Sequence, residues 1–138
     1  GEYCFSNTIS SLYLPKLQTA SDYSFYQCGA LYFSFPALLD VPNYCFKDCT
    51  AGLYFGVSSA TAVADNAFDG CISATAFELD SCLTLGSTVG NNNVFLNIIG
   101  NTITIDVPIA LQTIDGGSPD GDLVYLLANN PLATINYV

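Results

Sequence analysis

A seven-residue pattern recurs along the chain, and it restricts the fold more than any other feature of the sequence. It reads Asp/Asn-x-x-Phe-x-x-Cys at residues 22–28, 43–49 and 65–71. Two weaker copies follow, at 92–98 with Ile in place of Cys, and at 122–128 with Tyr and Ala in place of Phe and Cys. A unit of about 22 residues cannot bury its own apolar face and must stack on the next unit, so the repeat predicts a solenoid.

The segments between these copies begin with alternating apolar residues, which is the pattern of a strand with one buried face. Three of the five segments end in Pro, which ends a strand because it has no N–H for the next ladder hydrogen bond. The sequence therefore predicts one short strand in each coil of a mainly β chain. The five segments are Leu12–Pro15, Phe33–Pro36, Phe55–Ser58, Phe77–Asp80 and Ile105–Pro108.

Equivalent side chains of stacked coils should lie above one another, with about 4.8 Å between neighbouring coils. We therefore expect an internal aromatic column and, three residues later in each copy, a second column of small side chains. This spacing allows a disulfide from Cys28 to Cys4 or to Cys49, and it equally allows stacked free thiols. The predicted structural residues are Phe25, Phe46, Phe68 and Phe95 in the first column and Cys28, Cys49 and Cys71 in the second.

This pattern resembles the BspA-type leucine-rich repeat, also called the Treponema pallidum type. Residues 63–71 follow the second half of that repeat, and residues 105–114 follow its first half. The resemblance covers about residues 4–128 and is interrupted by insertions at 87–91 and 115–121. It implies a leucine-rich-repeat solenoid of about five short coils with a stacked parallel sheet.

Composition restricts the function. We expect the 138 residues to form one repeat-solenoid domain, residues 1–138. Two basic residues against twelve acidic ones give a net charge of −10, which argues against nucleic-acid binding. The chain has no His, which excludes His-based catalysis and His-ligated metal sites. No apolar run is long enough to span a bilayer.

The ends and the cysteines predict the location. The first residue is Gly, Met is absent, and the six cysteines are an even number. These features favour a processed chain in an oxidising environment. We therefore expect an extracellular or cell-surface protein.

The outward residues of the predicted strands are candidates for ligand binding. If Phe33 and its equivalents are buried, their neighbours face the concave surface of the sheet, with aromatic side chains at one end and carboxylates at the other. Exposed aromatic side chains on a rigid sheet are good anchors for a partner, although ordinary solvated strand residues would give the same pattern. The predicted binding residues are Tyr13, Tyr32, Ser34, Tyr54, Glu78 and Asp106.

The loop at residues 115–122 carries three carboxylates, Asp115, Asp120 and Asp122, among three glycines. Hard oxygen ligands on a flexible turn suit Ca²⁺, although a solvated acidic turn is the simpler interpretation. No other cofactor is expected.

The resemblance implies a secreted or cell-surface module that binds a protein or glycan ligand and is not an enzyme. The alternative is an extracellular filament in which copies of the chain join through their ends. That hypothesis depends on the apparent lack of polar caps, because residues 132–138 alternate like one more strand.

Overall fold

The computed structural model describes residues 9–138, in which the chain forms short parallel strands, one short 3₁₀ helix and one α-helix. The strands are β1 (Ile9–Tyr13), β2 (Ala30–Ser34), β3 (Asp40–Val41), β4 (Tyr54–Gly56), β5 (Ala62–Val63), β6 (Ala76–Glu78), β7 (Thr84–Leu85), β8 (Thr104–Val107) and β9 (Thr134–Tyr137). The 3₁₀ helix is Ile109–Gln112 and the α-helix, α1, is Gly121–Asn129.

The strands form two parallel sheets, one on each side of the core. The larger sheet has the order β1-β2-β4-β6-β8-β9, and the smaller has the order β3-β5-β7. Successive coils each add one strand to the larger sheet, in register, so that Phe33 lies opposite Phe55 and Phe55 opposite Phe77. This is the predicted leucine-rich-repeat solenoid with a stacked parallel sheet, and the fold prediction is confirmed.

Two columns of aromatic rings fill the core. In the first column Phe25, Phe46, Phe68 and Phe95 stack with centroids 5.4, 5.4 and 5.8 Å apart and nearly parallel rings. In the second column Phe33, Phe55 and Phe77 stack at 4.9 and 5.4 Å. Rings of one column meet rings of the other edge to face at 4.9–5.5 Å. Both arrangements are favourable geometries for aromatic pairs.

The seven-residue pattern forms the turn that carries the first column. Each turn donates to the next coil, from Phe25 N to Cys45 O at 2.9 Å and from Phe46 N to Ala67 O at 2.8 Å. The residue before the Cys position has a left-handed φ of 54–77° in all four copies, namely Gln27, Asp48, Gly70 and Asn97. A side chain is disfavoured there, so the backbone bonds between coils must hold this conformation in three of the four copies.

The described cysteines, Cys28, Cys45, Cys49, Cys71 and Cys82, are free and buried. Cys49 Sγ donates to Phe25 O at 3.0 Å, and Cys71 Sγ donates to Phe46 O at 3.1 Å. The Cys28–Cys49 disulfide that the spacing allowed is not formed, and the stacked thiols instead bind carbonyls of the preceding coil. The other allowed partner, Cys4, lies outside the described residues.

The last predicted copy of the pattern, residues 122–128, is not a coil turn. It lies in α1, whose Leu123 and Leu126 are buried in the common core, whereas Tyr125 is half-buried and Ala128 is exposed. Leu123 and Leu126 stand three positions apart, the spacing that places two apolar side chains on one face of a helix. In the stack of coils, α1 follows the turn that carries Phe95, the last ring of the first column. The helix therefore covers the turn side of the C-terminal end of the solenoid, where we expected an uncapped end.

Candidate functional site

The outward residues of the larger sheet form two rows across the strands. One row contains Ser11, Tyr32, Tyr54, Ala76, Thr104 and Thr134. The other contains Tyr13, Ser34, Gly56, Glu78, Asp106 and Asn136. The two rows are called the sheet face below. All six residues that the sequence predicts for binding lie on it, in the two rows that strand alternation assigns to them.

The aromatic end of the sheet face is built on β1, β2 and β4. Tyr32 and Tyr54 are direct neighbours in the register, and their ring centroids are 6.4 Å apart at an angle of 41°. Tyr32 is 47% exposed and Tyr13 is 61% exposed. Backbone pairing fixes the position of each Tyr, so this end offers large contact area at low entropic cost.

Tyr54 connects the aromatic end to the acidic end. Its ring lies over Gly56 of the same strand, where a Cβ would come within 2.5 Å of the phenol oxygen. Burial, together with a hydrogen bond to Glu78, raises the pKa of Tyr54 well above its ordinary value. The phenol therefore stays protonated and donates to the carboxylate.

The acidic end contains more groups than the sequence predicts. Glu78 and Asp106 are paired in the register, and Asn136 Nδ2 donates to Asp106 Oδ1 at 2.8 Å. Burial, and after it the charges of Asp106 and Glu78, raises the pKa of Asp80. This cluster of three carboxylates gives that end a concentrated negative charge.

Two residues of the acidic end were missed by the sequence prediction. Asp80 occupies the position that Pro36 and Pro108 occupy in other coils. This exchange of Pro for a carboxylate is visible in the sequence and could have identified Asp80 as part of the acidic end. Asn136 lies in β9, which follows Asp106 after an insertion and the helix, so its row could not be read from a fixed period.

The structure does not gather the predicted calcium ligands into a site. Asp115 is exposed, Asp120 Oδ1 caps α1 by accepting from Asp122 N at 3.0 Å, and Asp122 Oδ1 accepts from Val94 N at 2.7 Å. No three Asp, Glu, Cys or His side chains converge as metal ligands anywhere in residues 9–138. The prediction of a calcium site from these three carboxylates together is therefore corrected.

Burial nevertheless perturbs two carboxyls of this loop. It raises the pKa of Asp120 to about 6, with a further contribution from Asp115. It raises the pKa of Asp122 to about 7, with further contributions from Asp120 and Asp65. Desolvation disfavours the charged form of both groups.

Comparison with curated proteins and with solved structures found no match. None of the helices in the described part of the chain has the length and apolar character needed to cross a bilayer. The model of the BspA type leucine rich repeat region matches six copies, over residues 1–93 and 40–118. These matches cover most of the chain and include the coils that carry both aromatic columns. The chain belongs to the BspA-type leucine-rich repeat family.

Proposed function

We propose that this chain is a secreted or cell-surface module that binds a partner protein through its sheet face and performs no catalysis. Leucine-rich repeats of this type are typically non-enzymatic and act as protein-interaction modules, often at the cell surface. The observation that carries the proposal is the pair of neighbouring rings, exposed Tyr32 and half-buried Tyr54, on the same sheet face as the carboxylates of Glu78 and Asp106.

The chemistry of the sheet face favours one kind of partner. The neighbouring, tilted Tyr rings can bind apolar or aromatic side chains, and the adjacent carboxylates can bind Lys or Arg. The acidic end has little internal neutralisation, because Lys47, one of two basic residues, is already paired with Asp69. The partner we propose is a protein segment that presents an apolar side chain next to a basic one. A glycan stacked on the Tyr rings is the competing ligand.

Binding is tested with a double substitution, Tyr32→Ala with Tyr54→Ala. The chain is immobilised and screened against a panel of purified extracellular proteins and a glycan array. We expect at least one protein to bind the wild type and to lose at least tenfold in affinity, about 1.4 kcal/mol, on the double variant.

The matched control is Tyr23→Ala with Tyr44→Ala. These rings stack on each other at 4.7 Å on the turn side of the coils, away from the sheet face. Binding that survives on the double sheet variant, or that is lost equally on the control variant, contradicts the proposed surface. If the chain binds only glycans, its ligand is a glycan and the proposed protein partner is wrong.

A second candidate function is self-assembly through the sheet edge. β9 pairs with β8 on one side and lies at the edge of the larger sheet. Open edge strands accept a strand from another chain. Electron microscopy of the purified protein tests this. Thr134 N and Val138 N donate to β8, so alternation directs the N–H of Tyr137 to the open edge. Fibres that vanish after Tyr137→Pro, which removes that donor, support assembly, and discrete particles in the wild type contradict it.

A further inference from the structure

Three side-chain oxygens from different parts of the chain converge beside Gly86. A Cβ placed on Gly86 would lie 3.0 Å from Asp65 Oδ1, 3.2 Å from Asp122 Oδ2 and 3.3 Å from Asn93 Oδ1. Gly86 has no such atom, so a small space remains there, surrounded by oxygen. Asp65 belongs to one coil, Asn93 to the next, and Asp122 to α1.

Two of these oxygens lack any hydrogen-bond donor. Asp122 is fully buried, at 0% exposure, and its Oδ2 is unpartnered, as is the buried Oδ1 of Asn93. A buried carboxylate oxygen without a partner is strongly unfavourable. A positively charged group in this space would satisfy both oxygens.

The remaining contacts hold the carboxylates in place. Val94 N donates to Asp122 Oδ1 at 2.7 Å, and Ser87 N donates to Asp65 Oδ1 at 2.7 Å. Burial acts to raise the pKa of Asp65, but hydrogen bonds from Ser87 and Asn93 outweigh it and lower the pKa. These donors fix both side chains with the second oxygen of Asp122 directed at the space.

No basic side chain neutralises this pair of carboxylates. The one ion pair within residues 9–138 joins Lys47 to Asp69, and neither residue belongs to this cluster. A metal cation would satisfy both carboxylates and the amide oxygen together.

We propose that Asp65, Asn93 and Asp122 bind a calcium ion beside Gly86. All three ligands are hard oxygens, and they are the carboxylate and amide groups that Ca²⁺ takes in irregular sites. The ion would join three segments that local hydrogen bonds connect only in part, namely the coil of Asp65, the insertion before Asn93 and helix α1. This site differs from the predicted one, with which it shares Asp122 alone.

Calcium chloride alone is the probe. The chelator-treated full chain is titrated by calorimetry, and its thermal unfolding is followed with and without Ca²⁺. We expect one bound ion, and a rise in Tm of about 8 °C at a hundredfold excess over Kd. Magnesium chloride at the same concentration should give a smaller rise, because Mg²⁺ requires a stricter octahedral geometry.

Asp122→Asn and Asp65→Asn should each abolish the rise in Tm and the calorimetric signal. Asp122→Asn should also raise the Tm of the metal-free chain, because it removes a buried, unpaired charge. The matched control is Asp115→Asn, which removes an exposed carboxylate of the neighbouring loop and should leave the response intact.

The proposal is overturned if the wild type shows neither heat nor a Tm shift at about 10 mM Ca²⁺, ten times the weak end of extracellular sites. It is equally overturned if both Asn variants retain the response, or if Asp115→Asn alone removes it. Should one Asn variant fail to fold, the other and the wild-type titration still decide the question.

Discussion

The phenol oxygen of Tyr54 lies 2.5 Å from the point that a Cβ atom of Gly56 would occupy. The two residues stand two positions apart on β4 and therefore on the same face of the sheet. Because Gly56 has no side chain, the ring of Tyr54 can lie over it and reach Glu78. The absence of a side chain at one position thus sets the orientation of the central aromatic ring on the sheet face.

Gly56→Ala should displace the Tyr54 ring and disrupt its hydrogen bond to Glu78. The pKa of Tyr54 should then fall toward its ordinary value, which is measured by tyrosinate absorbance during alkaline titration. Stability should change by less than about 1 kcal/mol, since the clashing atoms belong to a side chain that can move. Ser34→Ala, in the same row, should leave the titration unchanged, and an unchanged curve for Gly56→Ala would contradict the geometry.

Gly52→Ala should cost far more stability than Gly56→Ala. A Cβ on Gly52 would lie 2.5 Å from Phe55 Cζ and 3.2 Å from Cys49 O, and neither group can move away because both are in the core. We expect a loss of about 1–3 kcal/mol in urea unfolding. Equal losses in the two variants would show that Tyr54 is held as rigidly as Phe55.

Phe68→Ala should be among the most destabilising changes in the chain. Its ring contacts four others, those of Phe46, Phe55, Phe77 and Phe95. Removing it leaves a cavity in both columns at once, for which we expect about 3–5 kcal/mol. Leu17→Ala, at a half-buried position near the first described coil, is the comparison and should cost clearly less. Urea unfolding measures both, and similar losses would contradict a core centred on the aromatic columns.

Lys47→Met should destabilise the chain by about 1–3 kcal/mol, because it leaves the buried Asp69 with Asn97 as its remaining side-chain donor. Lys16→Met, at an exposed position, should change stability by less than about 0.5 kcal/mol. The hydrogen bond to Asp69 raises the pKa of Lys47. Its contribution is therefore complete below the ordinary lysine pKa and is lost as the pH rises through the raised value.

The pH dependence of the free energy of unfolding tests the Lys47–Asp69 pair in a second way. The stability difference between wild type and Lys47→Met should be constant through neutral pH and shrink under strongly alkaline conditions. Denaturant unfolding at several pH values measures it. A difference that instead shrinks toward neutral pH would indicate a different partner for Lys47.

The described thiols should resist modification in the folded protein. Burial raises the pKa of Cys49 and Cys71 well above the ordinary value, and raises that of Cys82 to about 12, so the reactive thiolate is suppressed. A thiol reagent such as Ellman's should label them at the rate of global unfolding and rapidly in denaturant. Fast labelling of Cys71 under native conditions would show that the coil turns open locally.

The repeat predicted most of the fold because stacked coils place equivalent residues together, so that one period fixes both the strands and the aromatic column. It failed at residues 122–128, where the spacing of Asp122 and Tyr125 fits the pattern while Leu123 and Leu126 fit a helix. Burial of the two Leu side chains decided between them. The sheet face followed from strand alternation, whereas Asn136 lies beyond an insertion that breaks the period. The cluster beside Gly86 could not be predicted from the period for the same reason. Insertions change the spacing of residues 65, 93 and 122 along the chain, although the segments that carry them still stack.

The stacking of equivalent Phe rings between neighbouring coils has a consequence for how such a chain can evolve. Phe46 meets Phe25 on one side and Phe68 on the other at the same separation, 5.4 Å. A coil with a ring at this position therefore fits against any other coil that has one. In-frame duplication or loss of a single unit preserves the stacking of Phe rings between neighbouring coils. The number of coils, and with it the length of the surface that binds a partner, can therefore vary without a new core.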